Sequence, residues 1–174
     1  MNWQVLINAA LFQVTWFAAV LWGTSVGLAA VAVMIAHAGW AGSLKADVAL
    51  GAILGAVGLV LDTLWIQVGI LDYQGLAVAP PWIIILWVGV GASLNHSLAF
   101  LARSPALGAL LVGPAGVVSY LAGEKLGGVI VGAPLGLGLV AVVWVALFYV
   151  LLTKVVPWVN ARCAVKVGVG ATRQ

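Results

Sequence analysis

The chain has 174 residues, 65% of them hydrophobic and only 6% charged, with a formal net charge of +3. A soluble domain carries about 25% charged residues, and a fold of this length leaves too much surface exposed to hide so apolar a composition from water. A water-soluble enzyme is therefore excluded, and the small positive charge calls for no nucleic-acid partner, since basic residues beside apolar spans usually set topology.

Read in chain order, the sequence predicts an all-α polytopic bundle. A span needs roughly 20 apolar residues, and six are expected near 3–22, 26–41, 47–71, 81–102, 105–124 and 129–156. "GTS" at 23–25 reads as a turn, and "AGSLKAD" at 41–47 brings the first charges. "DYQGLAVAPP" forms the longest connection, and its prolines suit a first helical turn. Ser104 stands at an N-cap position with Pro105 behind it, "EKLGG" at 124–128 separates the last two spans, and Pro157 is expected to close the sixth. Residues 1–157 thus form one transmembrane domain and 158–174 a short basic cytoplasmic tail holding the single cysteine, Cys163, as a reduced thiol. Nothing before Lys45 is basic, so the first segment lacks the positive n-region of a cleavable signal and is expected to stay as a helix. With both termini in the cytoplasm, Lys45, Arg103, Lys154, Arg162, Lys166 and Arg173 fall inside and only Lys125 outside. That distribution follows the positive-inside rule.

Three spans carry small residues at alternating spacings of three and four, which keeps them on one helix face. The stripes are Gly51, Gly55, Gly58, Asp62, Trp65, Gly69; then Gly89, Ala92, His96, Ala99, Arg103; then Gly113, Gly116, Tyr120, Gly123, Gly127. In lipid such faces let backbones approach, so each is expected to point inward with its polar residue. Gly128, Gly132 and Gly136 suggest a further such face on the sixth span. At 1.5 Å per residue, Asp62 lies roughly 22 Å from the inner surface, Tyr120 roughly 24 Å and His96 roughly 10 Å. Asp62 is therefore expected to meet Tyr120, while His96 sits in a lower layer with Gln13 across from it and His37 near. Asn95, a third of a turn from His96, should steady a neighbouring helix.

Ionisable residues inside a membrane are functional by default, which makes Asp62, His96 and Tyr120 the candidate catalytic residues. Gln13, Trp16, Asn95 and Glu124 are the candidate lining of a polar cavity. A hydrogen-bonded fastener would account for the same residues without chemistry. HExxH, GxSxG and P-loop motifs are missing, two histidines are too few for a multi-histidine iron site, and no metal or cofactor is expected.

"FQVTWF" at 12–17, "LVLDTLW" at 59–65, "LNHSL" at 94–98 and "YLAGEKLG" at 120–127 together resemble an uncharacterised family of bacterial inner-membrane proteins, domain of unknown function 2878. The resemblance spans nearly the whole chain and points to Gln13, Trp16, Asp62, Asn95, His96, Tyr120 and Gly123. It implies a small polytopic protein and, through genes for fatty-acid-modifying enzymes beside some members, a connection with lipid chemistry. Two classes of function stay open. One is a metal-free intramembrane protein that modifies or binds membrane lipid through its buried aspartate and histidine. The other is non-enzymatic: an accessory partner of another membrane enzyme, or a small transporter, associating as a homodimer or with that enzyme through its glycine-rich faces.

Overall fold

The computed structural model describes residues 3–163. Within them the protein is all-α, apart from one pair of two-residue strands. The helices are α1 (Trp3–Ala41), α2 (Leu44–Gln67), α3 (Pro81–Gly91), α4 (Pro105–Lys125), α5 (Leu137–Val150) and α6 (Val156–Arg162). Strands β1 (Leu71–Asp72) and β2 (Ile130–Val131) pair antiparallel, Leu71 opposite Val131. Four helical stretches are long and apolar enough to cross a membrane: Trp3–Ala41, Leu44–Gln67, Pro105–Lys125 and Pro134–Arg162. This is an integral membrane protein.

The first of these stretches is not straight. Gly23 has φ 75° and ψ −159°, a conformation open essentially only to glycine. A methyl group placed on Gly27 would lie 3.0 Å from the Ala19 Cβ, whereas residues eight apart in a continuous helix stand about 12 Å apart. The two arms of α1 therefore fold back on each other, and Phe12 and Met34 from opposite arms meet at Gly89 of α3.

The glycine stripes within the helices face inward, as their spacing predicts, but Gly69 and Gly127 leave them. Each lies two residues past the end of its helix in a left-handed turn, φ 71° and 79°, with open space where a Cβ would stand. Gly51 and Gly55 of α2 receive Val88 of α3, and Gly58 lies directly under the Trp87 indole. Gly113 and Gly116 of α4 admit Ala141, Val145 and Trp144 of α5. These close approaches hold α2 to α3 and α4 to α5 at backbone distance, where packing rather than hydrophobicity drives association in lipid.

Three expectations need correction. The fourth span does not stay α-helical through residue 102: α3 stops at Gly91, and 92–98 is a run of turns leading into a 3-10 helix, Ala99–Arg103. Its backbone bonds shorten to the i−3 pattern, as in His96 N–H to Ser93 O at 3.0 Å. Non-helical backbone survives at membrane depth only when protein surrounds it, and Ala92, Ser93 and Leu94 are indeed buried. A Cβ at Gly91 would stand 2.6 Å from both the Gly51 Cα and the Leu50 carbonyl oxygen, so the break falls where α2 and α3 press closest.

Second, Gly128, Gly132 and Gly136 do not form a helix face. They lie in the connection before α5, where Gly132 abuts the Gly69 carbonyl and Gly136 the Ile70 side chain. Third, Pro157 does not end the last helix. A π turn, Leu151–Val155, precedes it and the chain continues helically to Arg162. Proline lacks an N–H and crowds the carbonyl four residues back, and a π turn is one way a helix absorbs that. The expected tail beyond Cys163 lies outside the described residues.

Candidate functional site

The polar side chains gather in two centres, one at each end of α2. Asp47 lies in the first turn of α2 and Asp62 fifteen residues on, which sets them roughly 22 Å apart.

At the far centre, Asp62 is wholly buried. Its Oδ1 accepts hydrogen bonds from the Tyr73 hydroxyl at 2.6 Å and the Tyr120 hydroxyl at 3.0 Å, and its Oδ2 accepts one from Trp87 Nε1 at 2.6 Å. The expected Asp62–Tyr120 contact is present, and two further donors join it. Trp87 reaches in from α3, Tyr120 from α4, and Tyr73 from the loop after β1. That loop is pinned by several bonds. Asp72 accepts from the Gly75 N–H, Thr63 Oγ1 accepts from the Ala79 N–H, and Gln67 donates to the Ala77 carbonyl. Glu124, expected in a polar cavity, instead accepts the Val131 N–H at 2.8 Å and secures β2, hence the β1–β2 pair. Trp144 closes the cage, 4.7 Å between ring centres from Trp87. Trp16 stands at its edge, where Nε1 donates to Ser119 Oγ across the seam between α1 and α4.

At the near centre, Asp47 is also fully buried, and its carboxylate gathers three partners. The Ser43 hydroxyl donates to Oδ2 at 2.6 Å, Asn95 Nδ2 donates to Oδ1 at 2.9 Å, and His96 Nε2 meets Oδ2 at 2.6 Å. The carboxylate can only accept, so the proton of this pair belongs to Nε2, which also stands 2.9 Å from Ser43 Oγ. Asp47 gains further from its place beside the positive end of the α2 dipole. Asn160 of α6 donates to Asn95 Oδ1 at 2.8 Å, joining the last helix to the centre. Asn8 of α1 donates to the Ala92 carbonyl and accepts from both the N–H and the hydroxyl of Ser97. The opened backbone of 92–98 is thus held by side chains from three helices. His37 packs edge-on to His96, 5.6 Å between ring centres, and neither of its buried nitrogens has a hydrogen-bond partner among the described residues. His96 with Asp47 is the one ion pair among those residues.

Gln13 does not face His96. It is exposed, on an apolar groove between the arms of α1. The loss of helical geometry at Ala92 turns the imidazole toward the start of α2, and Asn8 is the α1 residue that meets the segment. Asn95 faces Asp47 and Asn160 together. His37 is buried against His96.

Sequence reasoning passed over Asp47, Ser43, Tyr73 and Asn160. For Asp47 a signal existed: four residues back from Gly51, it extends the stripe that contains Asp62. No periodic signal marks Tyr73, whose position depends on the β1–β2 pairing, or Asn160, which follows the proline taken as a terminus.

The site has no close counterpart to borrow from, since no curated protein and no solved structure matches the chain. The turns that follow α3 and the two aspartates of α2 lie inside the range matched by a family model described as a protein of unknown function, DUF2878, which covers residues 5–150; the chain belongs to that family.

Proposed function

We propose that the protein crosses a bacterial inner membrane six times with both ends in the cytoplasm, and that its Asp47–His96 pair is an acid–base centre acting on a lipid or similarly apolar molecule. The reversal at Gly23 supports counting α1 as two spans, and α3 with the turns that follow it as one. Basic residues then divide six inside to one outside. Thiols introduced at Arg103 and Lys125, in a Cys163→Ser background, test this arrangement. Position 103 is expected to react with an impermeant reagent only from the cytoplasm and position 125 only from outside; the reverse pattern rejects the orientation.

One observation carries the chemical reading: the 2.6 Å contact between a fully buried carboxylate and an imidazole, placed where the helix has opened. The carboxylate fixes the tautomer, so the proton sits on Nε2 and Nδ1 is left as the working nitrogen. Such a pair accepts a proton at Nδ1 while Asp47 stabilises the resulting imidazolium. Asn95 and Ser43 hold the carboxylate in place. Asp62 and Tyr120 take the role of a fastener in this reading, because all three donors around that carboxylate are already spent on it.

The experiment compares membrane lipids from cells lacking the gene, cells with the wild-type gene and cells with His96→Gln. Glutamine keeps a hydrogen bond but cannot cycle a proton. The variant is expected to insert normally and give the lipid profile of the deletion. A wild-type profile from well-expressed His96→Gln rejects the acid–base reading, as does a deletion that leaves the lipids unchanged.

A further inference from the structure

Gln13 is a polar side chain that neither centre uses. It lies ten residues from Trp3 and ten from Gly23, roughly 15 Å along the helix from either end of its arm. It is exposed, and no hydrogen bond is made by its amide among the described residues. It lines a groove of about 550 Å3 with Val14 and Phe17 of the same arm and Ala29, Ala30 and Val33 of the other. An amide facing hydrocarbon with no partner costs several kcal/mol, and at this depth so short a side chain reaches neither headgroup region.

We infer that this groove is the interface with a second copy of the chain, closed by a reciprocal Gln13–Gln13 hydrogen-bonded pair across a two-fold axis. Lipid chains can fill the groove but have no group to bond the amide. A glutamine amide carries both donor and acceptor, so two of them related by a two-fold satisfy each other, as an isologous contact requires. Ala29 and Ala30 keep one wall of the groove low, which lets a neighbouring helix approach. The glycine stripes, in contrast, are consumed inside one copy by Val88, Trp87, Val145 and Trp144, so the dimer contact shifts from those faces to the α1 hairpin.

The test uses the full-length protein in membranes with Cys163→Ser. Oxidative cross-linking through Val14→Cys is expected to give a dimer of the chain, while Val142→Cys, on the outward face of α5 and 65% exposed, gives none. In proteoliposomes carrying donor- and acceptor-labelled copies, Gln13→Leu is expected to raise the dimer dissociation constant roughly 3- to 20-fold per hydrogen bond lost. Gln13→Asn, which keeps the amide, should weaken it less. Absence of a Val14→Cys dimer, cross-linking of that thiol to a different protein, equal cross-linking through position 142, or wild-type association of Gln13→Leu each overturns the inference.

Discussion

Asp62 and Asp47 sit on the same helix, both with no exposed surface, yet their surroundings are built differently. Around Asp62 stand two tyrosines and a tryptophan, large donors delivered from a loop, α3 and α4, and every one ends on the carboxylate. Around Asp47 stand small or titratable groups, Ser43, Asn95 and His96, two of them from a segment that has lost its helical ladder. One centre is saturated. The other keeps a second histidine, His37, against its edge with both nitrogens unbonded among the described residues. A saturated network in low dielectric rigidifies a core, while a partly satisfied one carries an energetic cost that function has to justify. The comparison teaches that a buried charge alone does not mark a site; what matters is whether its partners retain capacity for anything else.

The sharpest way to break this contrast is to remove each carboxylate in turn. Asp62→Ala strands three buried donors in three parts of the fold, and a loss of about 3–5 kcal/mol is expected. Asp47→Ala is expected to cost about half as much, because Ser43 and His96 already stand 2.9 Å apart and only the Asn95 Nδ2 donor is left without its partner. Reversible unfolding in mixed micelles of lipid and denaturing detergent measures both. Equal losses, or a larger one at Asp47, would remove the ground for calling Asp62 the fastener.

The same contrast explains what could be read from the sequence. Asp62 and Tyr120 lie on regular helices, so a rise of 1.5 Å per residue matched their heights and the structure brings them together. The stripes through Gly51–Gly58 and Gly113–Gly116 were legible for the same reason. His96 belongs to a stretch where neither the rise nor the 100° step applies, so its pairing with Gln13 failed and its true partner was missed. Asp47 was masked by its neighbour Lys45, which made the turn look like a solvated loop. Tyr73 reaches Asp62 only because Leu71 pairs with Val131, some sixty residues away, and no local pattern announces such a contact. Periodicity reads helices; it is silent where the chain leaves them.

A smaller and finer test lies within the saturated centre. Tyr73 and Tyr120 both donate to Asp62 Oδ1, at 2.6 Å and 3.0 Å, so each alone can still satisfy that oxygen. Tyr73→Phe is expected to cost about 1–2 kcal/mol, since it removes the shorter bond to a charged acceptor, and Tyr120→Phe about 1 kcal/mol. The double variant should lose more than the two single losses added, by about 1 kcal/mol, because only then does Oδ1 have no phenolic donor left. The same unfolding measurement closes the cycle. Strict additivity would mean that the two hydroxyls act independently, and neither would then cover for the loss of the other at Oδ1.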